Sequence, residues 1–81
     1  MNSIKCIKEI CKKFKLGIYT IEEFQGRLQT VVIEDEYTQL RRILNDVDNE
    51  LETILYCQFE KDYYKCGCKV ADYIIKNLIA M

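Results

Sequence analysis

The sequence predicts an all-α fold, a small bundle of three to four helices with one long central helix. Three observations carry that expectation. The chain has no Pro, and its three glycines, Gly17, Gly26 and Gly67, are scattered, so little interrupts a helix. Apolar residues recur in alternating steps of three and four, the period of an α-helix rather than of a strand. From Glu34 to Tyr64 that phase runs without a break, which defines the long helix.

Length and composition set the outer bounds. Eighty-one residues form a single helical domain spanning 1–81, and a chain of this size buries only about 60% of the surface its unfolded form exposes. A hydrophobic content of 49% argues against disorder, and 31% charged residues argue against a membrane protein. No apolar run approaches the roughly 18 residues of a transmembrane helix. The Met1–Lys15 stretch is basic, but charges break up any apolar segment and no small-residue cleavage site follows, so a signal peptide is not expected. The expected compartment is the cytoplasm, with all five cysteines reduced.

The first helix is expected from about Ser3 to Leu16. Ile4, Ile7, Cys11 and Phe14 form its apolar line, Ile10 widens it, and Lys5, Lys8, Lys12 and Lys15 run along a flank. Gly17 supplies the stop. The second helix has the clearest start. Thr20 and Glu23 match a T-x-x-E capping box, and Tyr19 with Phe24 fits a hydrophobic staple across it. Ile21, Phe24, Leu28 and Val31 form its buried face, with an end near Val31–Ile33.

The third helix opens on Glu34-Asp35-Glu36, acids that suit the positive end of a helix. Asn45-Asp46-Val47-Asp48-Asn49 is poor in helix formers, but the apolar phase crosses it from Leu44 to Val47 to Leu51, so continuity is expected. Leu40, Leu44, Val47, Leu51 and Ile54 make one apolar seam. A turn at either Glu60–Asp62 or Cys66-Gly67-Cys68 separates this helix from a last one carrying Val70, Ala71, Ile74, Ile75, Leu78 and Ile79. Each apolar stripe must meet another, and a bundle is the solution.

Charge is uneven. Residues 1–16 carry five Lys against Glu9, net +4, whereas residues 34–62 carry nine acids against Arg41, Arg42 and Lys61, net −6. The simplest expectation is that the basic first helix lies beside the acidic one and neutralises it.

Most chemistry is excluded by what the chain lacks. There is no His, so neither Cys-His nor Ser-His-Asp catalysis is available, and no Gly-rich phosphate loop occurs. Enzymatic activity is not expected. Cys66 and Cys68 would point about 200° apart on a helix and cannot share a metal ion. Cys66-x-Cys68 is too short for the C-x2-4-C knuckle of a structural zinc site, and in Cys6-x4-Cys11 the second cysteine sits on the apolar line of the first helix as a small hydrophobe. The Asp46-x-Asp48-x-Glu50-x-Glu52 run fails as a calcium loop, with Leu51 where Gly is needed and Cys57 where a bidentate Glu is needed. No cofactor or metal is expected. The first helix has lysines but no Arg to read bases, and a pI near 5.4 opposes nucleic-acid binding; a solvated or internally paired lysine face is expected ahead of that and of a membrane-surface contact.

What remains is a protein-binding surface. Opposite the seam, the third helix collects Asn45, Asp48, Asn49, Glu52, Tyr56, Phe59 and Tyr63. Carboxylates there would steer a basic partner, and the aromatics would supply rigid contact area. The segments Gly17-Ile18-Tyr19-Thr20-Ile21-Glu22-Glu23-Phe24-Gln25-Gly26-Arg27-Leu28 and Asn49-Glu50-Leu51-Glu52-Thr53-Ile54 resemble short all-helical immunity proteins of bacterial polymorphic and contact-dependent toxin systems. That resemblance covers residues 12–75 loosely. It implies a cytoplasmic inhibitor that occludes the active or substrate-binding surface of a cognate toxin, such as a basic nuclease domain. Three alternatives stand beside it: a homodimeric scaffold or adaptor paired through the Leu40–Ile54 seam, a thiol or metal sensor using Cys66 and Cys68, and a phage-encoded inhibitor of a host enzyme.

Overall fold

The computed structural model describes residues 3–80. Its helices are α1 (Ser3–Lys15), α2 (Ile21–Gln29), α3 (Thr38–Cys57) and α4 (Tyr63–Ala80), with a single 3-10 turn, Glu60–Asp62, leading into α4. The fold is the small all-α bundle that the periodicity predicts. The helices run up, down, up and down: the start of α1 meets the α2–α3 connector through Ser3 and Glu34, and its end meets α4 where Tyr64 donates to the Lys15 carbonyl. Each helix packs on its chain neighbours, except that α4 also closes on α1 and reaches α2 across the bundle. Among the described residues no helix is long and apolar enough to cross a membrane.

Local signals explain most of the ends. α1 stops in a Schellman turn: Ile18 N donates to Lys13 O and Gly17 N to Phe14 O, with Gly17 at φ +80°. Only glycine adopts that conformation without strain, which is why Gly17 is a stop. At α2, Glu23 N donates to Thr20 Oγ1 at 3.1 Å, one half of the expected capping box. The Glu23 carboxylate is engaged by Arg27, whose guanidinium lies 5.0 Å above the Tyr19 ring.

The third helix is shorter than the Glu34–Tyr64 span expected for it. It begins at Thr38, after an irregular connector and a turn in which Tyr37 N donates to Glu34 O. Gln58 and Phe59 then take extended backbone (ψ 159° and 148°), so Phe59 falls outside the helix and Tyr63 opens α4. Packing supplies the reason. An unbroken Glu34–Tyr64 helix would be about 46 Å long, longer than the molecule's 37 Å greatest extent. Its ends would find no partner. Within Thr38–Cys57 the expected continuity holds, and the Asn45–Asn49 segment is helical throughout.

The core follows the predicted stripes. Ile7, Cys11 and Phe14 of α1, Ile21, Phe24 and Leu28 of α2, Leu40, Val47, Leu51 and Ile54 of α3, and Val70, Ala71, Ile74 and Leu78 of α4 are all buried. Ile43 joins them, whereas Leu44 is only half-buried. Gly67 sits inside α4 rather than ending a helix. A Cβ at that position would stand 2.4 Å and 2.6 Å from two ring carbons of Phe14, so the glycine is what lets α1 and α4 approach. Phe14 in turn stacks on Phe24, with centroids 4.5 Å apart and planes 18° from parallel.

Candidate interaction surface

Seven residues were expected to form one strip on the third helix: Asn45, Asp48, Asn49, Glu52, Tyr56, Phe59 and Tyr63. The structure divides them into three groups. Asp48 and Glu52 are half-buried against α2. Gln25 Nε2 donates to Asp48 Oδ1 at 3.2 Å and to Glu52 Oε1 at 3.1 Å, and Gln29 Nε2 donates to Asp48 Oδ1 at 2.7 Å. They do not lie opposite the seam. Asp48 follows Leu44 by one turn, which places it on the seam's border, where a second neighbouring helix can reach it. Gln25 is itself buried, and its side chain carries this polar contact.

Asn45, Asn49 and Tyr56 form the second group, all exposed along the outward face of α3, with exposed Asp46 and Glu50 on its flank. The helix places these five within three turns of one another. Phe59 and Tyr63 form the third group, displaced by the end of α3. Phe59 projects from the corner between α3 and α4, with the Lys61 ammonium 5.8 Å from its ring centroid. Tyr63 is half-buried, and its hydroxyl donates to Leu55 O at 2.9 Å, satisfying one of the carbonyls that the last turn of α3 leaves free. It is a structural tyrosine and drops out of the exposed surface.

The lysines of α1 do not neutralise α3. Among the described residues the ion pairs are Lys15–Asp72, Arg27–Glu23 and Arg41–Asp35, none of which joins α1 to α3. Helix α1 sits against α2 and α4, and Asp48 and Glu52 of α3 bond to glutamines rather than lysines. Apart from the half-buried Leu44, the Leu40–Ile54 seam proposed for homodimer pairing is consumed in the core.

One concentration of apolar surface was not anticipated. Leu16 (67% exposed), Ile18 (59%), Tyr56 (84%), Phe59 (75%) and Tyr64 (52%) all lie at one end of the bundle, where α1 ends, α2 begins, α3 ends and α4 begins. The Tyr64–Lys15 hydrogen bond ties the two corners together, and the Phe14 and Tyr64 rings lie 5.7 Å apart beneath them. Leu16 and Ile18 flank the Schellman glycine, so they carry a sequence signal: apolar residues at a turn that cannot bury them.

The thiols and charged groups near the core are structural. Burial pushes the Cys11 thiol up to about 12, leaving it neutral and inert. The hydrogen bond and charge of Asp72 hold the Lys15 ammonium above its ordinary value. Among the described residues no three Cys, Asp or Glu side chains come together as a metal site. A cleft of about 320 Å³ between α2 and α3 is lined by Gln25, Gln29, Arg41, Leu44, Asn45 and Asp48, among others. Gln25 and Gln29 there donate to Asp48, and Arg41 is held by Ile33 O and Asp35. Comparison of the chain with protein-family models, with curated proteins and with solved structures gives no match in any of the three.

Proposed function

We propose that this chain works by binding another protein, as an inhibitor that neutralises a cognate bacterial toxin in the cytoplasm by covering its basic active or substrate-binding surface. The observation that carries this reading is the outward face of α3. Asn45, Asn49 and Tyr56 are exposed side by side with Asp46 and Glu50 on a rigid 20-residue helix. The carboxylates would accelerate encounter with a basic partner, and Tyr56 would anchor it once docked. A nuclease domain, basic because it binds phosphate, is the partner chemistry that suits such a face. The resemblance of residues 17–28 and 49–54 to immunity proteins supports the toxin class.

Asp48 and Glu52 are unsuitable for testing this, because reversing them would also disrupt the contact with α2. The test uses Glu50→Lys combined with Tyr56→Ala, two exposed positions. Tagged wild-type and variant chains are used to capture partners from a lysate of the native host, and the complexes are sized and identified by mass. The expected result is one basic protein at 1:1, with affinity reduced at least tenfold in the variant. Equal capture by both chains, or an acidic partner, would remove the α3 face from the argument.

A further inference from the structure

We infer that the apolar end of the bundle is a self-association surface, on which a second copy of this chain docks end to end about a two-fold axis. The surface comprises Leu16, Ile18, Tyr56, Phe59 and Tyr64, five of the eight large apolar side chains that are exposed among the described residues. Scattered exposed apolar residues need no explanation, but five gathered at one end do.

Area and charge both favour a second copy as the occupant. Taking about 200 Å² for a fully exposed aromatic side chain, the three rings leave on the order of 400 Å² in water. Two copies meeting there would bury roughly twice that, and Leu16 and Ile18 bring the total near the roughly 1,000 Å² at which specific interfaces begin. The corner from Glu60 to Lys65 carries Glu60 and Asp62 against Lys61 and Lys65, and the other corner carries Lys12, Lys13 and Lys15 against Glu22, Glu23 and Asp72, so the charges of this end cancel. A strongly basic partner gains little from such a rim. A second copy turned by 180° gains more, because each lysine can face an acid of the other chain. The surface shares Tyr56 with the outward face of α3, so the self-associated form and the target-bound form exclude one another. The two readings remain separable, because self-association is measured on the pure protein with no target present.

The test is sedimentation equilibrium of the reduced protein, which keeps the exposed Cys57 from bridging copies. At the area estimated above, association belongs in the micromolar range or weaker, so loading spans about 10 μM to 1 mM. The expected mass rises from 9.7 kDa toward twice that value and no further. Phe59→Glu and, separately, Ile18→Asp should each weaken the dimer at least tenfold with the helical circular dichroism unchanged. Val32→Glu, at an equally exposed position in the α2–α3 connector, should leave it intact. A monomer at every concentration overturns the proposal, as does an association abolished by Val32→Glu but not by the two end variants. Growth beyond two copies overturns the two-fold arrangement. A basic target that binds through Phe59 and Ile18 while the pure protein stays monomeric would assign the end to that target instead.

Discussion

The contact between α1 and α4 and the contact between α2 and α3 are built on opposite principles. The first is close and dry at its centre: Cys11, Gly67 and Ala71 are small and buried, the Phe14 ring lies directly over Gly67, and the polar contacts of Lys15 with Asp72 and Tyr64 sit at the exposed margin. The second is polar, with Gln25 and Gln29 of α2 donating to the carboxylates of Asp48 and Glu52 on α3. Close apolar packing fixes the separation of two helices to a fraction of an ångström, because any added atom collides. Hydrogen bonds to half-exposed carboxylates fix which faces meet but tolerate adjustment, because water can replace a lost partner. The two interfaces should therefore respond very differently to substitution.

The largest effect is expected at Gly67. Alanine is the better helix former by about 1 kcal/mol, and by that measure alone Gly67→Ala would stabilise α4. Its Cβ, however, would enter the space of a ring that is fully buried and in contact with Phe24 and Tyr64. Overpacking of this kind costs about 1–3 kcal/mol or somewhat more, so urea denaturation should show a net loss on the order of 2 kcal/mol. A Phe14→Leu background removes the collision, and there the same Gly67→Ala change should become neutral or stabilising. The sign reversal is the point of the double-mutant cycle. If Gly67→Ala stabilises the wild-type chain, the close-packing account of α1 and α4 fails.

At the polar interface the expected losses are smaller. Gln25→Leu keeps the apolar bulk but removes the donor to Asp48 and Glu52, and should cost about 1 kcal/mol, since both acceptors can turn to water. The diagnostic comparison is Asp48→Asn with Glu52→Gln, which keeps an oxygen acceptor at each position and should cost less than Gln25→Leu. A loss from Gln25→Leu as large as that from Gly67→Ala would show that the interface is not tolerant.

Thr20→Ala comes next, at about 1 kcal/mol or less, the usual worth of an N-cap side chain. Glu23→Ala should cost less than about 0.5 kcal/mol, because its partner Arg27 is an exposed neighbour one turn away. Equal losses at the two positions would mean that both halves of the capping box contribute, contrary to the geometry. Chemical denaturation of the two single variants decides it.

These cases also show what the sequence made legible. The start of α2, the stop at Gly17 and the apolar stripes of all four helices depend on neighbours within one or two turns, and a local pattern reports them well. The ends of α3 depend on how long its partner helices are, which no window around Glu34 or Tyr64 contains. The acidic–aromatic strip was therefore drawn too long: Phe59 and Tyr63 belonged to it only if α3 continued. Asp48 and Glu52 were misplaced for a related reason, since one apolar seam suggests one neighbour, whereas α3 has two. A buried glutamine on α2 is what reveals the second, and Gln25 is indistinguishable in sequence from a solvated residue. The end patch was missed because it joins residues from two corners, Leu16 and Ile18 with Tyr56, Phe59 and Tyr64, which only the up-and-down topology brings together.

The smallest expected effect tests the bond that connects the two interfaces. Ser3 begins α1, from the dry pair, and Glu34 lies in the connector between the two helices of the polar pair. The buried Ser3 donates to Glu34 through its hydroxyl and, at 3.4 Å, through its backbone N–H. The Ser3 hydroxyl is the main cause of a Glu34 carboxyl held below its ordinary value. A carboxyl whose folded pKa is depressed contributes stability above its unfolded pKa, and that contribution disappears as pH falls through the folded value. Stability measured by urea denaturation should therefore decline below about pH 4.3, the ordinary glutamate value, with one component that Glu34→Gln removes. The variant should be weaker than wild type near pH 7, and the difference should shrink on acidification. Because Glu34 is only half-buried and water can replace a lost bond to Ser3, the difference should stay below that of Thr20→Ala. A gap that persists undiminished to the lowest pH at which the chain stays folded would mean that Glu34 acts through its shape and not its charge. The link between the dry and polar pairs would then be a packing contact like that at Gly67.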